Sequence, residues 1–341
     1  MRSILFRLAA AAAVAVLSTG AALAASPTLA KVKKNGFLRC GVNEGLPGFA
    51  VPNTKGEWSG FDVDFCRAIA AAIFDDPKKV RFFPTSAKVR FTALQAGDFD
   101  VLSRNTTWTL SRDVQVGLEF IGVTYYDFQG FMVPKKLKVA SAKQLDGASV
   151  CTNTGTTTEL NLADYFRSNK LKYKVIAFEK NNEVVAAYDS GRCDAITTDA
   201  SGLHAERLKL AKPDDHMMLP EMISKEPLGP AVTQGDQQWG DLVRWTLFAM
   251  LNAEEYGVTS KNVDQMMKSE SPEVRRMLGV EGAFGESLGL TKDWVVRIVR
   301  RVGNYGEVFE RNVGQGSPLK IKRGLNALYT KGGLQYAPPI R

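Results

Sequence analysis

Two stretches of the 341-residue chain gather side chains able to hold a small charged molecule. The first is Asn105-Thr106-Thr107-Trp108-Thr109-Leu110-Ser111-Arg112-Asp113, which follows the strand-like run Val101 to Ser103. Its hydroxyls can donate to an anion, and the Arg112 guanidinium is a planar fork that grips a carboxylate through two parallel hydrogen bonds. In open α/β sheets ligands bind beyond the carboxyl ends of strands, which is where this stretch falls. Taken alone, Arg112 also reads as the partner in a surface salt bridge. The second stretch, Asn153-Thr154-Gly155-Thr156-Thr157-Thr158-Glu159, directly follows the run Ala148 to Cys151. Backbone N–H groups at a helix start, with hydroxyls beside them, can face an anion. Thr156 and Glu159 also fit a capping box, which needs no ligand. Finally, Asp194 to Asp199 ends on a carboxylate suited to an ammonium group, although Asp199 also suits the N-cap of a following helix.

Signatures of catalysis and of cofactors are sparse. The chain has two histidines, His204 and His216, and neither stands in an H-E-x-x-H pattern. Paired metal-ligand spacings, a G-x-x-x-x-G-K-[ST] loop and a G-x-G-x-x-G turn are lacking. The expectation is therefore a binding protein, not an enzyme, with no cofactor and no metal.

The elements that position these residues follow from hydrophobic period. Phe37 to Val42 reads as a strand, and Gly60-Phe61-Asp62 introduces a helix with Phe61, Phe65, Ile69 and Ile73 four apart. Strand Val80 to Phe83, helix Val89 to Ala96 and strand Val101 to Ser103 continue the alternation. After Pro134 it resumes with Ala148 to Cys151, a helix from Thr157, strand Tyr173 to Phe178, a helix from Asn182 and strand Cys193 to Thr197. Short strands alternating with helices imply α/β lobes with mostly parallel sheets. The apolar helix Trp239 to Ala253 then returns the chain to the first lobe, and Trp294, Val295, Ile298, Val299 and Val302 form a packing stripe.

At the start, Arg2 and Arg7 flank the apolar run Leu8 to Leu17, and Ala22-Leu23-Ala24 follows as a cleavage pattern. Residues 1–24 thus read as a cleaved signal peptide, too short in its apolar part for the roughly 20 residues of a membrane span. The formal net charge of +8 is dispersed. Lys31, Lys33 and Lys34, like Arg297, Arg300 and Arg301, read as solvated helix faces, so no nucleic-acid partner is expected. Export favours disulfides among the four cysteines. Cys40 on the first strand and Cys66 on the helix covering it form the first expected pair, and Cys151 with Cys193, on strands that can be neighbours, the second. Four buried free thiols are the alternative.

In this order the segments Gly60-Phe61-Asp62-Val63-Asp64, Leu94 to Asp100, Thr107 to Arg112, Gly155-Thr156-Thr157 and Asp194 to Asp199 resemble the polar amino-acid-binding periplasmic proteins of ABC importers, solute-binding family 3. The resemblance runs from about Phe37 to about Gly257. It is nearest the general L-amino-acid binders, which share Arg104-Asn105-Thr106-Thr107-Trp108-Thr109 and an extra carboxyl-terminal segment. It implies a two-lobe, type II periplasmic binding protein, each lobe a mixed, mostly parallel sheet flanked by helices, with a helical C-terminal extension. Lobe 1 is expected over 30–125 plus 229–341 and lobe 2 over 126–228, joined by two crossing strands. By the same resemblance Arg112 grips the ligand α-carboxylate, Thr107 and Thr157 add hydrogen bonds, and Asn105 and Asp199 receive the α-ammonium. Leu46 and Ala87 stand where relatives often carry aromatic or large residues, and Asn43 where many carry Asp. Weaker walls imply a roomier pocket and broad L-amino-acid specificity. The implied protein is a periplasmic monomer that delivers cargo to inner-membrane permease subunits with their ATPase. A dehydratase-like enzyme on the same fold, or a ligand-presenting sensor, are the alternatives.

Overall fold

The computed structural model describes residues 26–341, so the signal-peptide reading of residues 1–24 lies outside the described residues. Ser26 caps helix α1 (Pro27–Asn35): its hydroxyl accepts the Leu29 N–H, and Pro27 occupies the first helical position, where a missing N–H costs nothing. The same hydroxyl donates to Asp236, more than two hundred residues later. The chain's two passages through this lobe are thereby tied together at their ends.

The first sheet grows from β1 (Leu38–Asn43), whose residues other than Arg39 are buried. A small hairpin, β2 (Val51–Pro52) with β3 (Trp58–Ser59), precedes helix α2 (Phe61–Phe74). Strand β4 (Val80–Thr85), helix α3 (Arg90–Gln95), and strands β5 (Val101–Leu102) and β6 (Leu118–Phe120) follow. Strands β4 and β5 flank β1 in parallel. Between β5 and β6 the chain makes a five-residue π-turn, Ser111–Gln115, which carries Arg112. Such wide turns recur at functional sites and have no sequence period of their own.

Strand β7 (Tyr125–Asp127) then leaves for the second sheet. That sheet comprises β8 (Gln129–Pro134), β9 (Ala148–Asn153), β10 (Tyr173–Phe178), β11 (Ala195–Asp199) and β12 (His216–Met218), in the order β10-β9-β11-β8-β12. Helices α4 (Thr157–Ser168), α5 (Asn181–Asp189) and α6 (Ala200–Arg207) are its crossovers and cover. Strand β13 (Glu226–Leu228) pairs antiparallel with β7, so two adjacent strands bridge the lobes. Strand β14 (Ala231–Thr233) inserts between β5 and β6, antiparallel to both. Each sheet therefore mixes three parallel-linked strands with an antiparallel return.

Both expected disulfides form: Cys40 to Cys66 ties β1 to α2 with Cα atoms 6.4 Å apart, and Cys151 to Cys193 joins the second lobe at 5.7 Å. Helix α7 (Gln237–Glu255) and the later helices α8 (Val263–Met266), α9 (Pro272–Met277), α10 (Phe284–Ser287), α11 (Trp294–Arg301) and α12 (Tyr305–Asn312) share one continuous core with α2 and β1. The extension is more than added packing, because it also reaches the lobe connection. The Asn326 side chain accepts the Tyr126 N–H at 2.7 Å and donates to the Tyr126 carbonyl at 3.0 Å, pairing with β7 as a strand would. Tyr305 donates to the carbonyl of Thr124, the residue before β7. Among the described residues no helix is long and apolar enough to cross a membrane.

Candidate functional site

The carboxyl ends of β1, β4 and β5 face those of β9 and β11 across a cleft, and the loops leaving these ends carry its walls. The lobes are closed on one another. Thr107 and Thr157 hydroxyls lie 3.3 Å apart, Ser86 donates to Glu179 at 3.3 Å, and the Lys209 ammonium donates to the Gly45 carbonyl at 2.6 Å. Gly155, with φ of 74°, brings its backbone against Lys88 so closely that a Cβ there would stand 3.1 Å from the Lys88 Cα. Asn43, Leu46, Ala87, Thr107 and Asp199 are buried.

Seven of the eight residues singled out for ligand contact line the enclosed cavity: Asn43, Leu46, Ala87, Asn105, Thr107, Thr157 and Asp199. Arg112 does not. Its buried guanidinium donates from Nη1 to the Thr107 carbonyl at 2.8 Å and stands over the Phe91 ring, while Arg90 and Arg104 occupy the wall. Thr156 caps α4 by accepting the Glu159 N–H, and Glu159 returns to the Gly155 N–H instead of to Thr156, so the full capping box is not made. Asp199 stands at the N-cap of α6 without a capping hydrogen bond, and its carboxylate lines the cleft beside the Asn105 side chain.

Asn105 is held in place by a relay. Its backbone, at φ 33°, lies in the left-handed region that asparagine tolerates better than most residues, and its N–H donates to Asp62 at 2.9 Å. Asn43 donates to the Asn105 side-chain oxygen at 3.1 Å, so Asn43 orients a wall residue as well as lining the wall itself. Burial pushes the Asp62 carboxyl up to about 7, against the opposing pull of the Asn105 N–H and Arg104. A carboxyl raised in this way keeps its proton in the folded chain over a range where the unfolded chain has lost it, so its contribution falls as pH rises from about 4 to about 7. Between pH 5 and pH 8 the wild type should lose about 2–3 kcal/mol of stability relative to Asp62→Asn. Thermal unfolding of both proteins at the two pH values measures this directly; parallel pH profiles would place the ionised form of Asp62 in the native state throughout.

Glu226 stands outside every motif read from the sequence. This hinge residue, on β13, is 1% exposed, yet four donors converge on it. Thr107 and Thr157 donate to Oε2 at 2.5 and 3.0 Å, and Asn161 and Ser224 to Oε1 at 2.7 and 2.6 Å. A hydroxyl has one proton, so while Glu226 holds both, neither Thr107 nor Thr157 can donate to a ligand. The hydroxyl pair expected to hold a ligand carboxylate is thus occupied by a carboxylate of the chain. Glu226→Gln can donate to both hydroxyl oxygens and release their protons toward the cavity. Titration calorimetry should then show affinity for an α-carboxylate ligand raised about tenfold. A fall in affinity would mean that the Glu226 charge supports the ligand.

The remaining charges are also shaped by burial. Asp199 is held well above the usual carboxylate range, first by burial and then by the nearby Asp127 and Glu226 charges. Asp127 is raised to about 6 by burial. Burial lowers all three arginines, Arg104 to about 10 and Arg90 well below the ordinary guanidinium value. Among the described residues no cluster of histidine, cysteine and acidic side chains is placed to hold a metal. One phrase, Gly285-Glu286-Ser287-Leu288-Gly289, has the spacing of a nucleophile elbow. Ser287 ends the one-turn helix α10 rather than a strand-to-helix turn, and His204 and His216 lie on α6 and β12 of the other lobe, so no triad is assembled there.

Arg90 and Glu206, which also line the cavity, fell outside the motifs read from sequence. Arg90 opens a short amphipathic helix and Glu206 lies at the end of another, positions that ordinarily carry solvated charges.

The chain matches the family model of bacterial extracellular solute-binding proteins, family 3, over residues 38–262. It is 61% identical to the general L-amino acid-binding periplasmic protein AapJ of Rhizobium johnstonii over 98% of both chains. Identity is 51% to the glutamate/glutamine/aspartate/asparagine-binding protein BztA of Rhodobacter capsulatus, covering 96% of this chain and 97% of that one. Among solved structures, an ABC transporter/periplasmic binding protein from Brucella ovis with glutathione bound aligns with a TM-score of 0.91 and 64% identity, over 92% of this chain and 99% of that one. The helical extension lies beyond the family model but within these long alignments. With two lobes, two linking strands and a closed cleft at the strand ends, the fold is that of a type II periplasmic binding protein, and the chain belongs to the bacterial extracellular solute-binding proteins, family 3.

Proposed function

We propose that this protein is the substrate-binding component of an ABC importer, capturing L-amino acids in the periplasm and delivering them to inner-membrane permease subunits with their ATPase. The single observation that carries the reading is the closed cleft, where the buried carboxylate of Asp199 faces hydroxyls and buried guanidiniums across the lobe boundary. A zwitterion leaving water needs both of its charges met, and neither lobe alone supplies the whole set. Ligand therefore favours the closed state, the form a permease can distinguish from the open one. Leu46 and Ala87 leave the side-chain end of the cavity without an aromatic wall, which supports broad specificity. The protein acts as a monomer and as a carrier, not a catalyst.

Calorimetric titration of the mature protein, unfolded and refolded to strip cargo, against the twenty common L-amino acids tests this. Many should bind. Affinity confined to one amino acid would overturn the breadth, and binding of none would overturn the function.

A specific observation keeps an enzymatic reading in view: Asp199 and Glu206, acids held above their ordinary range chiefly by burial, both line the cavity. An ancestral amino-acid-binding protein described as a precursor of cyclohexadienyl dehydratase shares the fold at 28% identity and a TM-score of 0.57. Turnover of cyclic amino-acid precursors by the purified protein would establish that reading; its absence is expected.

A further inference from the structure

We propose that the carboxyl-terminal extension is a strap on the hinge: residues 323–335 fasten the segment 123–126 to lobe 1, so that the lobes turn about one rung of the connection, Asp127 paired with Glu226. The proposal rests on the amino-acid-binding reading for one of its two readouts only.

The hydrogen bonds show where each linking strand passes from one lobe to the other. On the first strand Thr124 donates to the Leu228 carbonyl, and the Tyr125 ring lies in the lobe 1 core, stacked on Phe309 with centroids 6.0 Å apart. From the next residues onward lobe 2 takes over. Asp127 accepts the N–H and the hydroxyl of Ser201 on α6, and the Phe128 carbonyl accepts the Ala200 N–H at 2.7 Å. On the second strand Ile223 donates to the Gln129 carbonyl at 3.0 Å and Ser224 accepts the Gln129 N–H at 3.2 Å, both within lobe 2. Past Glu226, the Pro227 carbonyl accepts the Trp108 N–H at 2.8 Å and Gly229 donates to the Thr106 carbonyl at 2.9 Å, both within lobe 1. Asp127 and Glu226 face each other in register, so both strands change lobes at the same level.

A ribbon of two strands is marginal by itself and twists readily. Here the edge of β7 that β13 leaves open is taken by the strap. Asn326, 4% exposed, makes the two bonds to Tyr126 already described, and Gln335, 2% exposed, donates to the Val123 and Thr124 carbonyls, each at 3.3 Å. The strap is itself anchored in lobe 1. Arg323 donates to the Asn326 carbonyl at 3.0 Å, pairs with Glu254 of α7 at 3.0 Å and stands over the Tyr305 and Phe309 rings. Gln335 closes the strap on itself, donating from its N–H to the Ala327 carbonyl and accepting the Tyr329 N–H. Leu328 joins the lobe 1 core. Each of these contacts falls on the lobe 1 side of the rung.

Residues 123–126 are therefore held on both edges, and closing the lobes need not order them. Without the strap they would bend with the hinge while the lobes are apart. In the closed form the hydroxyls of Thr107 and Thr157 meet on Glu226 and fix the connection again. Freedom returned to the open form alone favours opening, and the apparent affinity for any ligand falls with the fraction of closed protein. The loss is the same for every ligand, because no strap residue lines the cavity.

Asn326→Ala in the mature protein tests this, with spin labels at the exposed positions Lys55→Cys on lobe 1 and Lys174→Cys on lobe 2 reporting the distance between lobes. The distance distribution of the ligand-free variant should be broader than that of the unsubstituted labelled protein, and saturating leucine should make the two coincide. Calorimetric titration should show leucine and glutamate each bound about fivefold to tenfold more weakly, with their ratio unchanged, the factor expected when about one residue regains backbone freedom. An unbroadened ligand-free distribution, unchanged affinities, or losses that differ between the two ligands would overturn the strap. Should Asn326→Ala fail to fold by circular dichroism, Gln335→Leu removes the other hold on the segment and is read the same way. Failure of the unsubstituted protein to bind either amino acid would overturn the underlying function instead, and the ligand-free distances would still decide the strap.

Discussion

Arg112→Ala should weaken binding of leucine, a ligand with only its α-carboxylate to offer, by roughly two to three orders of magnitude. Removing one partner of a desolvated ion pair costs about 3–5 kcal/mol, because the ligand's charge would be buried without its counter-ion. The structure sharpens the test. In the closed cleft Arg112 donates to the Thr107 carbonyl and does not line the cavity, whereas Arg90 and Arg104 do. Full loss in Arg112→Ala, measured by titration calorimetry on a variant with an unaltered melting profile, would assign the α-carboxylate to Arg112. Retained leucine binding would move that role to Arg90 or Arg104.

The second large effect concerns Asp199. Burial, reinforced by Asp127 and Glu226, holds its carboxyl well above the usual range. A ligand ammonium placed against it reverses that preference and draws the proton off. Binding should therefore release protons below the raised value, and affinity should climb with pH until Asp199 is ionised without help. Asp199→Asn is expected to weaken binding by about a hundredfold near neutral pH and to abolish the proton release. Calorimetry in two buffers of different ionisation heat counts the protons. A variant that binds weakly yet still releases them would point to another acid of the cleft.

These effects are coupled, and their sum should not be read as the worth of the site. Asp199 moderates the positive charge of Arg90, Arg104 and Arg112 besides the ammonium contact proposed for it, so its removal also disturbs the three guanidiniums. The Glu226 carboxylate adds a competing element. It holds hydroxyls from both lobes at once, Thr107 from the first and Thr157 from the second, the pair proposed to hold a ligand carboxylate. The closed state is therefore partly satisfied before cargo arrives. On this account Glu226 lowers the cost of closing empty while weakening the hold on cargo, and the two consequences are measured separately by scattering of the free protein and by titration.

What the sequence made legible was local chemistry in order. Strand and helix periods placed α2 over β1, and that juxtaposition allowed Cys40 and Cys66 to be paired. Hydroxyls after one strand and a carboxylate at the end of another pointed to Thr107, Thr157 and Asp199, all of which the fold brings to one cavity. The α/β alternation and the amphipathic stripe on α11 were equally open to inspection, because each depends on neighbours a few residues away. Tertiary structure alone decided the rest. Arg90 opens a helix, where a charge is ordinarily solvated, yet the fold buries it, and Glu226 was one acid in a short linking strand until donors from two other segments, the Thr107 loop and α4, converged on it. The grip of Asn326 on Tyr126 likewise joins residues two hundred positions apart. Sequence spacing encodes which face of an element is apolar, but the state of a charge depends on what is packed around it from elsewhere in the chain, and burial sets that only after folding.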